Sequence, residues 1–94
     1  MEVQGKLLRE VAEAIASSYE HNGNVQVDVK GGYLEVKYEK GAECLVEPDT
    51  GYCNVSAAWC NVKSIELIND DDEALPVDCD IEKLENTTAE FMNN

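Results

Sequence analysis

Residues 69–85 read NDDDEALPVDCDIEKLE, with eight carboxylates and one lysine in seventeen positions. Carboxylates at that density do one of two things. They hold a cation, or they lie in solvent as a charged surface. A calcium loop needs oxygen ligands at positions 1, 3, 5 and 12 and a glycine at 6 for its sharp turn. Counted from Asn69, those ligand positions are Asn69, Asp71, Glu73 and Asp80, but Ala74 stands where glycine is needed and Pro76 falls at position 8. Counted from Asp70, Ala74 lands on a ligand position. Neither frame makes a calcium loop. A weak surface cation site remains as the alternative to a polar hairpin tip followed by a capped helix start.

The other residues with chemical potential are four cysteines and one histidine. Cys44, Cys53, Cys60 and Cys79 contain no C-x2-C pair, so they lack zinc-site spacing. Cys53 is in phase with Val55 and Trp59, Cys60 with Val62, and Cys79 with Val77. Free cysteine packs as a small hydrophobe, so core packing is the expectation. A disulfide, with three connectivities open, and a metal site are the alternatives. His21 sits where a helix is expected to end. Acidic neighbours of Cys44 and Cys79 raise a thiol pKa rather than activate it, and Gly31-Gly32 serves a turn rather than a phosphate loop. No catalytic residue, cofactor or metal ligand is assigned, and the chain is expected not to be an enzyme.

Charge narrows the partners. The net charge is −13. Residues 1–47 hold nine acids against five bases, net −4, and residues 48–94 hold eleven against two, net −9. Such a field repels phosphate backbones and anionic membranes, so direct nucleic-acid or membrane binding is not expected. It favours a protein with a basic surface. The partner-binding candidates are Asp70, Asp71, Asp72, Glu73, Asp78, Asp80 and Glu82, with Tyr33 on an open sheet face as a second contact. Strand edges are open to strand addition. An alternative is nucleic-acid mimicry, with carboxylates standing in for phosphates to block a DNA-binding protein, although Lys37 interrupts Glu35 and Glu39 on the hairpin. The N-terminus lacks a basic leader region, and no stretch approaches the roughly 18 apolar residues of a membrane span. A small, soluble, cytoplasmic accessory protein is the resulting expectation, with residues 1–94 as one small acidic α+β domain.

The elements that must position these groups follow from periodicity. Val3, Leu7, Leu8, Val11, Ala12, Ile15 and Tyr19 recur at three and four, which predicts a helix over about residues 2–21, stopped by His21-Asn22-Gly23. Val25, Val27 and Val29, then Leu34, Val36 and Tyr38, alternate with polar residues. A Gly31-Gly32 turn would set Val29 opposite Leu34 and Val25 opposite Tyr38, with all six apolar residues on one face. Gln26, Asp28, Lys30, Tyr33, Glu35 and Lys37 would take the wet face. ECLVE reads as a short strand, EPDTG as a turn, and residues 52–59 as a strand. The inward phase passes from Trp59 to Cys60 and back by Ile65, which calls for a bulge near residues 60–64. SIELI and LPVDC flank the acidic run as a hairpin. Asp80 caps a final helix through Ile81, Leu84, Thr88 and Phe91, with the last three residues frayed. The expectation is an α+β fold: two layers, with an antiparallel sheet of about 4–5 strands and an N-terminal and a C-terminal helix on one face.

Overall fold

The computed structural model describes residues 1–46, 48–51 and 53–93, with side chains described for all of these but residues 43–46 and 53–57. The order is β1 (Glu2–Val3), α1 (Gly5–Ser17), β2 (Asn22–Val29), β3 (Gly32–Val46), β4 (Cys53–Asn69), β5 (Ala74–Leu75), β6 (Asp78–Cys79) and α2 (Ile81–Asn93). β2-β3-β4-β5 form an antiparallel sheet in that order, and β1 pairs with β6 in a small parallel one. Both helices lie on one face of the larger sheet. Leu8, Val11, Ala12 and Ile15 of α1 and Leu84 of α2 share a buried core with Leu34, Val36, Tyr38 and Cys60. The fold is α+β in two layers.

The first helix is shorter than its periodicity suggests. Glu2 and Val3 pair with Asp78 and Cys79 instead of starting it, and buried Val3 still reaches the core. The helix stops at Ser17, and Ser18 leaves in an extended conformation. Tyr19, expected on the apolar face, is fully exposed. His21-Asn22-Gly23 is therefore not a glycine cap; Asn22 and Gly23 open β2. What replaces the cap comes from the sheet. Lys40 is 6% exposed, and its Nζ donates to the carbonyls of Ile15, Ala16 and Ser18 at 2.8, 3.2 and 2.5 Å. A cation at a helix C-terminus satisfies the last carbonyls and complements the dipole. Tyr38, two residues earlier on the same face, donates its hydroxyl to the Glu20 carbonyl at 2.9 Å and meets Ser18 Oγ.

The β2–β3 hairpin has the expected faces in a different register. Val29 pairs with Gly32, Val27 with Leu34 and Val25 with Val36, so Lys30-Gly31 form the turn. The shift is two residues, which preserves the faces because the side-chain period is two. Gly32 belongs to the ladder because β4 passes too close for any side chain. A Cβ there would lie 1.9 Å from the Ile68 carbonyl oxygen, at φ +149°.

β3 and β4 run far beyond the rest of the sheet. Their pairing continues to Val46↔Cys53, with irregularities between Lys37/Tyr38 and Glu43/Cys44 that leave Lys63 and Ser56 as extra residues on β4. The Lys63 bulge lies where the phase change demanded one. It lets Cys60 and Val62 face the core before it and Ile65 and Leu67 after it. Trp59, expected inward, is 39% exposed and lies across Gly41, where a Cβ would meet its indole at 2.7 Å. The long ribbon stretches the molecule to 57 × 22 × 17 Å with a radius of gyration of 15.2 Å, against about 12 Å for a compact chain of this length.

The last third departs from a regular hairpin. Only Ala74 and Leu75 pair with β4; Pro76 ends the pairing and Asp78–Cys79 moves to β1. Asp80 caps α2 as expected, its Oδ1 accepting from Lys83 N–H at 3.1 Å. The helix extends through Asn93 rather than fraying after Phe91, because Asn93 Oδ1 accepts the Ala58 N–H at 3.3 Å.

Two substitutions test this framework. Lys40→Met removes the donor from three carbonyls under the sheet and is expected to lower unfolding free energy by about 2–3 kcal/mol in urea melts; a loss under about 0.5 kcal/mol would mean that water replaces the ammonium. Gly32→Ala forces β3 away from β4 and should destabilise by at least about 2 kcal/mol, with chemical-shift changes centred on Ile68 and Asn69.

Candidate interaction surface

The acidic residues are placed by the two places where the chain must turn. Asn69 organises the first. Its Oδ1 accepts the N–H groups of Asp71 and Glu73, both at 2.9 Å, and its carbonyl accepts the Asp72 N–H at 3.0 Å. Asp72 adopts φ 61°, a left-handed conformation that Asp tolerates better than most residues. With Asn69 serving the backbone, the side chains of Asp70, Asp71, Asp72 and Glu73 are exposed. The second turn is the junction into α2. Asp78 pairs with Glu2, Asp80 caps the helix, Glu82 occupies its first turn, and all three acids are exposed.

Both groups lie at one end of the molecule. The C-terminus of α1 is held by Lys40 and that of α2 by Ala58. The two helices therefore begin at the other end of the body, where Gly32 pairs with Asn69 at the start of the β3–β4 ladder. Asp70 to Glu73 cap that end, and Asp78, Asp80 and Glu82 approach it from the helix layer. These carboxylates do not fall on alternate positions of one strand, so the mimic reading lacks the evenly spaced row it calls for. They do not converge either. Among the described residues, no group of three or more His, Cys, Asp or Glu side chains is placed to hold a metal ion. Tyr33 is set apart from them, half-buried on the open sheet face between Asp28 and Ile68.

The cysteines divide similarly. Cys60 is a buried free thiol and Cys79 a half-buried one; the side chains of Cys44 and Cys53 lie outside the described residues. Burial pushes the Cys60 thiol up to about 11, helped by the negative charge of Glu85 and opposed by a Thr88 hydrogen bond and Lys40. Burial, and then Asp80, also raise the Cys79 thiol. Lys40, opposite Cys60 in the ladder, is lowered by burial, with Cys60 acting the other way. Sequence reasoning passed over Lys40, although it continues the inward phase of Leu34, Val36 and Tyr38. That phase was the available signal. Glu85 was also missed as an edge cap: its Oε2 accepts the Val62 N–H at 2.8 Å.

A cleft of about 330 Å³ lies between α1 and α2, where Arg9 stands 5.8 Å over the Phe91 ring and Lys83, Thr87 and Glu90 line the wall. The Thr87 hydroxyl donates to the Lys83 carbonyl at 2.7 Å, and no histidine or cysteine lines the cleft. Among the described residues, no helix is long and apolar enough to cross a membrane. No protein-family model matches the chain, and no curated protein or solved structure matches it.

The raised thiol has a direct consequence. At pH 8, Cys60 should alkylate with iodoacetamide roughly a hundredfold more slowly than an unperturbed thiol, because its thiolate fraction is that much smaller. Its rate should climb about tenfold per pH unit toward 11, followed by peptide mass mapping. A rate at pH 8 matching a free peptide thiol would place Cys60 outside the core.

Proposed function

We propose that the protein acts without catalysis, by binding another macromolecule, and that its acidic end engages a protein with a basic surface. The observation that supports this is the concentration of Asp70, Asp71, Asp72, Glu73, Asp78, Asp80 and Glu82, all exposed, at one end of an elongated molecule. Asn69 holds the backbone of Asp71, Asp72 and Glu73 and Asp80 caps α2, so the backbone that carries the carboxylates is ordered before any partner arrives. A preordered single-sign field accelerates encounter with an oppositely charged surface, and salt weakens it.

Affinity capture at low salt, followed by a wash at about 0.5 M salt where the screening length is a few ångströms, isolates such a partner. Against it, the triple variant Asp70→Lys, Asp71→Lys, Asp78→Lys is expected to associate at least about tenfold more slowly, with a flatter salt dependence. A control triple, Glu10→Lys, Glu13→Lys, Glu66→Lys, changes net charge equally at other exposed positions and should lose much less. Equal losses in both would reduce the acidic end to a solubilising surface, and no loss in either would remove charge from recognition altogether.

A further inference from the structure

The end opposite the acids carries a different kind of surface. β2 makes its last pair at Asn22↔Glu39, followed by the Lys40 N–H donating to the His21 carbonyl at 2.7 Å. Beyond that point, among the described residues, residues 41–46 of β3 pair with β4 alone. A two-stranded ribbon is marginal by itself, and three or more strands are needed for independent stability. The ribbon therefore has two edges to complete, and the chain treats them differently.

The β4 edge is covered. Asn93 and Glu85 of α2 accept the outward N–H groups of Ala58 and Val62, and the extra residue at Ser56 breaks the edge further out, a recognised way to blunt strand addition. Among the described residues, the β3 edge has neither device. Because Lys40 donates outward to His21, backbone alternation turns the N–H of Ala42 the same way, with Cys44 following it. No bulge lies on β3 itself.

Charge then selects the occupant. Residues 50–62 carry no charged side chain, and residues 41–59 hold only Glu43, Glu47 and Asp49, with no base. A basic protein suited to the acidic end finds little to hold here. A second copy of this chain carries −13 of its own, so two copies must meet in a way that keeps those charges apart. Antiparallel overlap of the ribbons places the two acidic ends at opposite extremes of an assembly longer than the 57 Å monomer, far beyond the ~8 Å screening length at physiological salt. Pairing one edge with itself about a two-fold axis is also the self-complementary geometry of a closed dimer, and it turns two marginal ribbons into one four-stranded sheet.

We infer that the ribbon is an interface between two copies of this chain, formed by antiparallel pairing of their β3 edges at residues 41–46. Trp59, lying across Gly41 on the adjoining surface and 39% exposed, is the single tryptophan and reports on that junction.

Sedimentation equilibrium from about 1 to 200 µM, a range that brackets micromolar affinity, is expected to show the mass rise from 10.4 kDa to twice that value. Tryptophan emission should shift to the blue over the same range. Salt from about 0.05 to 0.5 M should leave the dimer nearly unchanged, unlike its effect on a basic partner. Ala42→Pro removes an outward donor without breaking a β3–β4 bond, and should weaken the dimer at least about tenfold with an unchanged circular dichroism spectrum. Hydrogen exchange on the unaltered protein decides the matter if that variant does not fold: Ala42 amide protection that rises with protein concentration supports the pairing. A monomer at every concentration, with Ala42 exchanging freely, overturns it and leaves the ribbon to a different chain or a lipid surface. A dimer with unchanged Ala42 exchange also overturns it, by placing the contact elsewhere.

Discussion

One buried ammonium group ties the C-terminus of the first helix to the sheet, beside the apolar core that the two share. Lys40 crosses from β3 to the C-terminus of α1 and satisfies three carbonyls there. Burying a charge is unfavourable unless hydrogen bonds compensate it, and here the compensation is also the link between layers. Since Lys40 stands on the inward face behind Tyr38, whose hydroxyl reaches the Glu20 carbonyl, the chain from Ile15 to His21 is held to β3 at successive points. That contact sets where α1 ends, and hence where β2 begins. It also lies at the last level where the chain before β2 flanks β3, through the Lys40 N–H to the His21 carbonyl.

Past Lys40, among the described residues, β3 has β4 as its one strand partner, so the molecule is a packed body with a ribbon attached. The Lys63 bulge belongs to the body, where it keeps Val62 and Ile65 both directed at the core. The Ser56 irregularity belongs to the ribbon. Bulges increase local twist and interrupt an edge, and this one sits on the side that α2 already shields at Ala58 and Val62. The asymmetry between the two edges is thus built from side-chain caps and a bulge together.

Much of the body was legible because burial imposes periods. The 3.6 period revealed the core face of α1 at Leu8, Val11, Ala12 and Ile15, and the period of two revealed Leu34, Val36 and Tyr38. The change of phase after Cys60 located a bulge. What escaped was set by tertiary contact. No local signal says that Ile68 passes so near Gly32 that a side chain is forbidden there, which is why the turn moved to Lys30-Gly31. His21-Asn22-Gly23 has the composition of a helix stop, yet a lysine nineteen positions beyond His21 in sequence took over that role and ended the helix earlier. Trp59 was placed inward by alternation, and the neighbouring Gly41 offered its ring a flat surface outside. The acidic positions were read correctly as a turn and a cap; nothing local showed that both would lie at one end.

The polarity of the molecule follows from these same constraints. A chain with twenty acids and seven bases must separate its like charges or lose stability to their repulsion. Turns and helix N-termini are where carboxylates are favoured, because they accept backbone N–H groups and complement the helix dipole. The turn at residues 69–73 and the N-terminus of α2 both fall at the end where the helices begin. The ladder then carries the chain away from that end over fifteen residues of β3, about 50 Å of extended strand. Charge density falls with distance, and the far segment is the least charged of all. On the proposed reading, a basic partner at the acidic end is weakened by salt, whereas pairing of two copies along the sparsely charged ribbon is not. The two proposed contacts thus use opposite ends of the fold and do not compete for one surface.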